Sequence, residues 1–296
     1  MSKLIISEAG GGVFGIGPAR WLSFLEASIP VAAIYEDAAA FAGTSIGAVD
    51  TALMAIGMSA KDLYKLHVAE QAGIFGSKRF LWAIRGGPRY DDSYVNKLLQ
   101  SKFGDRTCAD TLRPLYLTAW DYRKRSLRIF GPKDTSFPLW KAVRCSMAAP
   151  TYFSTVDGRY GDGGLSANVP TVVGLASAFL DGHVGADART LTLVTSGNTP
   201  EGSEVNPNAS ITTQLLNEVL PSVTAGNSAD VDLIMQFIAK LTRGLGAGIL
   251  DYRVQPDSPD WDMDAVDKAP QIADIWEKNF QQNRLSAISF VTEANP

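Results

Sequence analysis

The sequence predicts an α/β fold with a mainly parallel sheet and covering helices. Short β-prone runs near the N-terminus end in glycines and lead into helical periodicity, and the alternation repeats along the chain. The composition suits such a fold: 296 residues, 46% hydrophobic and 20% charged, is an ordinary globular chain that buries a core without disulfide staples. No repeat, low-complexity tract or clear linker divides it.

Residues 3–7 form the first β-prone run and close on glycines. Residues 18–27 read as a helix, with Ala19, Leu22 and Leu25 at helical spacing and Pro18 suited to a first turn. Residues 31–35 and 38–42 are short apolar runs, the second closed by Gly43, and 46–58 is helical again. Residues 115–120 and 126–130 are β-prone around a polar turn that holds Arg123, Lys124 and Arg125. A short helix over 138–147 stops before Pro150; 169–180 reads as a helix and 190–195 as a strand. Between 210 and 244 two helical patterns are broken by Pro221 and Gly226. The expected organisation is a catalytic core over 3–195, with 196–296 a mostly helical extension packed on the same domain.

With 27 Lys+Arg against 31 Asp+Glu the net charge is −4, which argues against a nucleic-acid binder. Two cysteines, Cys108 and Cys145, and two histidines, His67 and His183, lack zinc or redox spacing, so no metal and no cofactor is expected. The N-terminus lacks the long apolar core of a signal peptide, and no run approaches the roughly 20 apolar residues of a spanning helix. A cytoplasmic protein is expected, with any membrane contact peripheral.

Three glycine turns bear on chemistry. Gly10-Gly11-Gly12-Val13-Phe14-Gly15 follows the first strand and precedes a helix. It reads as a dinucleotide fingerprint, with Glu36 at the end of a possible second strand. It reads equally as converging backbone N–H groups for an oxyanion, or as a tight packing turn. Gly43-Thr44-Ser45-Ile46-Gly47 is a G-x-S-x-G sequence between strand and helix, a nucleophile elbow or a helix N-cap serine. Tyr160-Gly161-Asp162-Gly163-Gly164 is a turn that offers one acidic group. A serine hydroxyl needs a base within reach; His67, His183 or a desolvated carboxylate are the candidates.

In this order the three turns resemble the patatin-like phospholipase family. Two further stretches add to the likeness: residues 145–153 (CSMAAPTYF) resemble its S-x-A-A-P-x-Y-F block, and 162–170 (DGGLSANVP) its D-G-G-x-x-x-N-x-P block. The resemblance covers about residues 3–195. It implies a three-layer α/β/α fold and a Ser–Asp dyad, Ser45 as nucleophile and Asp162 as base, with the backbone N–H groups of Gly10, Gly11 and Gly12 as oxyanion hole. Gly15, Gly43, Gly47, Gly163 and Gly164 support these motifs. The implied activity is lipid acyl hydrolysis of the phospholipase A, lysophospholipase or carboxylesterase type. Where the family has an aspartate and a cation in its first motif, this chain has Ala9 and Phe14, which turns the expectation toward neutral acyl esters; Arg20 is the candidate to replace that cation in space. The rival readings are a Ser45–Asp162–His183 triad, dinucleotide binding at the 10–15 turn, and a binding-only member of the fold.

Residues 75–90 place Lys78, Arg79, Arg85 and Arg89 among Phe75, Phe80, Trp82 and Tyr90. This is a membrane-resting segment, an inward-packing loop or a lid. Six aspartates between 251 and 267 read as a solvated acidic loop in preference to a calcium site, lacking the EF-hand glycine and glutamate. No activator or oligomeric partner is identified by any motif.

Overall fold

Strand β1 (Leu4–Glu8) is buried along its whole length, and its side chains alternate between two cores. Leu4 and Ile6 join the larger hydrophobic cluster; Ile5, one pleat away, joins the smaller. A strand buried on both faces belongs inside a covered parallel sheet. In the computed structural model, which describes residues 3–31, 33–76, 87–195, 220–244, 248–259 and 261–292, that sheet has seven strands among the described residues.

The other strands are β2 (Ala38–Gly43), β3 (Leu115–Asp121), β4 (Ser126–Phe130), β5 (Tyr160–Asp162), β6 (Arg189–Leu193) and β7 (Leu250–Val254). Their order is β4-β3-β2-β1-β6-β7, with β5 on β3. The pairings among β3, β2, β1, β6 and β7 are parallel; β4 and β5 run antiparallel to β3. On one face lie α1 (Ile16–Glu26), α3 (Ile46–Ala55), α4 (Ala60–Ile74) and α10 (Ala269–Thr292). On the other lie α8 (Thr171–Leu180) and α9 (Leu220–Gly244). The result is the three-layer α/β/α arrangement. Shorter helices α2 (Ile34–Asp37), α5 (Ser93–Phe103), α6 (Leu139–Ser146) and α7 (Gly164–Ala167) fill the connections.

Two sequence expectations are corrected. The run over 31–35 ends in helix α2, because the buried Glu26 carboxylate takes the Ile34 N–H at 2.8 Å and the Ala60 N–H at 3.1 Å. Glu36 therefore sits on an exposed helical turn and closes no strand. Helix α9 runs unbroken through Pro221 and Gly226: Pro221 falls in its first turn, where a missing N–H costs nothing, and one interior glycine costs only about 1 kcal/mol. Residues 210–219 of that pattern lie outside the described residues. The C-terminal part, mostly helical through α9 and α10, also supplies a sheet strand, β7, beside β6. Its sequence Leu-Asp-Tyr-Arg-Val lies at the sheet edge with an exposed first half, so no apolar run marks it.

Helix α10 closes the larger core. Gly17 of α1 lies against the Trp276 ring, where a side chain would collide. Phe280 meets Trp21 edge-on at 5.4 Å and stacks on Phe24 at 5.7 Å. Among the described residues no helix is long and apolar enough to cross a membrane.

Candidate active site

The turn after β2 holds the central feature. Ser45 has φ 55° and ψ −119°, a left-handed conformation that costs a non-glycine residue about 1–3 kcal/mol. Close backbone packing holds it there. A Cβ on Gly43 would run into the Gly47 carbonyl, and one on Gly47 into the Glu8 carbonyl. The Thr44 N–H donates to Glu8 O at 3.1 Å, and the Ser45 N–H to Ser146 Oγ at 2.8 Å. Ser45 occupies the N-cap position of α3, yet its hydroxyl caps nothing. The hydroxyl donates instead to Asp162 Oδ2, 2.8 Å away.

Asp162 ends β5, in register with Ala119 of β3, so the turn begins only after it. Its carboxylate is buried, and Oδ1 accepts the Gly164 N–H at 2.7 Å. Burial pushes its pKa up to about 6, while the bonds from Gly164 and Ser45 and the nearby Arg144 guanidinium hold it down. Gly163 is obligatory because a side chain there would strike Thr118. The structure thus brings a strained serine and a carboxyl with raised proton affinity into hydrogen-bond contact from strands far apart in sequence.

The glycine turn at 10–12 passes beside this pair: a Cβ on Gly10 would lie 3.0 Å from the Ser45 Cβ. The turn is pinned at both ends. The Gly10 N–H donates to Asn168 O at 3.1 Å, and the Thr195 hydroxyl donates to Gly10 O. The Val13 N–H donates to Met263 O at 2.8 Å, and Gln71 Nε2 to Val13 O at 2.9 Å. Of the three donors expected from sequence, Gly10 is therefore engaged within the protein. The N–H groups of Gly11 and Gly12 have no acceptor among the described residues. Gly15 packs its backbone against Ile46 and serves the turn, not a ligand.

Next to Ser45 a small apolar slot of about 40 Å³ is lined by Gly12, Ile46, Ile74, Phe75, Met147, Ala149, Tyr152, Phe153 and Met263. Asp264, beside Met263, is fixed by Arg89 at 2.7 Å and by the Tyr90 hydroxyl. The acidic stretch is therefore only partly a solvated loop, since Asp264 is held inward and Asp251 accepts from Thr190 and Thr192 at 2.6 Å each. Among the described residues no His, Cys, Asp and Glu side chains cluster to hold a metal.

Other expected positions lie elsewhere. His183 is exposed on the turn after α8 and makes no hydrogen bond to Ser45 or Asp162. Arg20 is committed to Glu277 at 2.7 Å and to the rings of Phe24 and Tyr64. Ala9 and Phe14 are buried in the cores. Of residues 75–90, Lys78, Arg79, Phe80, Trp82 and Arg85 lie outside the described residues; Phe75 and Tyr90 face inward, edge-on at 5.5 Å. Ser146 and Asn168 sit in recognisable motif blocks but their hydrogen-bonding roles appear only in three dimensions. Thr195, Gln71 and Met263 carry no sequence signal at all.

The family model for patatin-like phospholipase matches residues 7–175. Patatin-like protein 2 of Oryza sativa subsp. indica is 30% identical over 209 residues, covering 58% of this chain and 52% of its own length. Patatin-like protein 2 of Arabidopsis thaliana is 25% identical over 90% of this chain and 78% of its own. An intracellular phospholipase A2 of Caenorhabditis elegans is 27% identical over 86% of this chain and 24% of its own. The chain spans about half the length of the rice relative it matches.

Proposed function

The chain belongs to the patatin-like phospholipase family, and from that premise we propose that it is a lipid acyl hydrolase working through a Ser45–Asp162 dyad. The observation that carries this reading is the 2.8 Å hydrogen bond from a strained, uncapped serine to a buried carboxylate whose pKa is raised to about 6. Asp162 takes the proton of Ser45 as Oγ attacks the ester carbonyl. The negative charge that develops on the carbonyl oxygen falls to the N–H groups of Gly11 and Gly12. Such fixed donors are worth several kcal/mol because they need no reorganisation during the reaction. Collapse expels the alcohol with the proton from Asp162 and leaves an acyl-serine. Asp162 then draws a proton from water, hydroxide equivalent adds to the acyl carbon, and the fatty acid leaves as Ser45 recovers its proton.

The slot beside Ser45 is apolar, as an acyl group requires, and the buried Phe14 offers no charge to a headgroup. Carboxylic esters of lipids are the proposed substrate class, with contact at a membrane surface peripheral. The test is hydrolysis of a short p-nitrophenyl ester and of phospholipid vesicles by wild type, Ser45→Ala, Asp162→Asn and His183→Ala. Loss of both activities in the first two variants and retention in the third supports the dyad. A His183→Ala variant as dead as Ser45→Ala would replace the dyad by a triad.

A further inference from the structure

Behind the glycine turn lies a buried polar chain that the proposed chemistry does not use. Glu8 ends β1, Asp50 lies on α3, and His67 and Gln71 lie one turn apart on α4; their exposures are 0, 0, 6 and 4%. His67 Nε2 is 2.8 and 2.9 Å from the two Asp50 oxygens. His67 Nδ1 is 3.3 Å from Gln71 Nε2, and the same amide nitrogen donates to Val13 O at 2.9 Å.

The donor and acceptor inventory fixes the protons. Gln71 Nε2 has two hydrogens, one for Val13 O and one for His67 Nδ1. Nδ1 must then carry a lone pair, so the ring proton sits on Nε2, facing the Asp50 carboxylate. The Glu8 oxygens have no donor. Burial, and after it the charge of Asp50, raises the Glu8 pKa well above the usual carboxyl range. A continuous hydrogen-bonded chain then runs from Asp50 through His67 and Gln71 to the Val13 carbonyl. Buried polar groups are costly when unpaired, so the amide of Gln71 is kept in a single orientation.

That orientation matters one residue away from the free N–H groups. Val13 follows Gly12 directly, and a glycine turn has little stiffness of its own. We infer that Gln71, oriented through His67 by Asp50, is a positioning residue that aims the Gly11 and Gly12 N–H groups at the reacting carbonyl. This rests on the hydrolase reading of the site.

The experiment joins two readouts. With only two histidines in the chain, ¹⁵N-histidine NMR, with His183→Ala to assign the second ring, reports the His67 tautomer directly. The Nε2–H form is expected, and a proton on Nδ1 would overturn the network. Gln71→Leu, which keeps the side-chain bulk, is expected to stay folded, to shift the Gly11 and Gly12 amide resonances, and to lower kcat for a p-nitrophenyl ester about ten- to a hundredfold with KM within about twofold. An unchanged kcat in the folded variant, or a loss carried by KM, removes Gln71 from the positioning role. If wild type hydrolyses no ester while Ser45 is intact, the hydrolase reading fails by itself. The amide resonances of Gln71→Leu then decide alone: unmoved signals overturn the inference, and moved ones uphold it.

Discussion

Ser146 Oγ accepts the Ser45 N–H at 2.8 Å, which commits the amide of the elbow serine to the protein before any substrate arrives. Ser146 ends α6, whose following residues lead to β5 and Asp162, so one hydroxyl links the two halves of the site. Ser146→Ala leaves that N–H without a partner in a strained turn, at a cost of about 1–3 kcal/mol. The expected result is a lower urea midpoint together with reduced ester turnover. A variant with wild-type stability and rate would show that the elbow is held by backbone packing alone.

Asp162 links activity and stability with opposite signs. A base must be ionised, so kcat/KM should fall as pH drops through about 6. Its folded pKa is raised above the unfolded value near 3.9, so between those values the native state binds more protons than the unfolded state. Its contribution is therefore fully present below the unfolded pKa and lost as pH rises through about 6, after which the ionised group weakens the fold by up to about 3 kcal/mol. Asp162→Asn should be inactive yet more stable than wild type at pH 7.5, the difference vanishing near pH 4. Denaturant midpoints at both pH values measure this, and a variant less stable at pH 7.5 would mean that the bond from Ser45 outweighs burial.

The elements near the site were readable in the sequence because each combines an apolar run with a glycine that only one backbone geometry requires. Gly43 and Gly47 flank Ser45 for a reason that survives in the structure, namely close contact of α3 with β1 and β2. The edge strand β7 was not readable, since its first half is exposed at the sheet edge and its partner β6 comes from far along the chain. The same holds for Met263 and Gln71, whose hydrogen bonds to Val13 depend on tertiary packing that no local pattern encodes. Gly10 shows the converse: its motif is plain, but its N–H is engaged by Asn168, which only the fold brings near.

Gly12 has φ +59°, and a Cβ there would meet the Met263 carbonyl. Gly12→Ala must either push residues 261–264 away or rotate the peptide, and each displaces an N–H that the proposed mechanism gives to the oxyanion. Loss of one such donor costs about a hundred- to a thousandfold in kcat. The expected variant is folded by circular dichroism and nearly inactive. Gly11→Ala, which would strike Thr195, should behave likewise. Turnover within tenfold of wild type in both would move the oxyanion donors elsewhere.

Met263 lines the apolar slot beside Ser45. Its main chain is tied to Val13 and its neighbour Asp264 to Arg89 and Tyr90, so the backbone that carries it is fixed and room is made only by rotating the side chain. The slot of about 40 Å³ is far too small for a long fatty chain at rest. Longer chains must displace side chains, and methionines, with three rotatable bonds, are the cheapest to move. Met263→Ala removes that obstacle while leaving the backbone bond to Val13 in place. Across p-nitrophenyl esters from acetate to palmitate, kcat/KM should rise severalfold for the long chains and stay level for the short ones. A uniform change along the series would mean that Met263 acts only on the turn, and an unchanged profile would place the acyl chain on another path from Ser45.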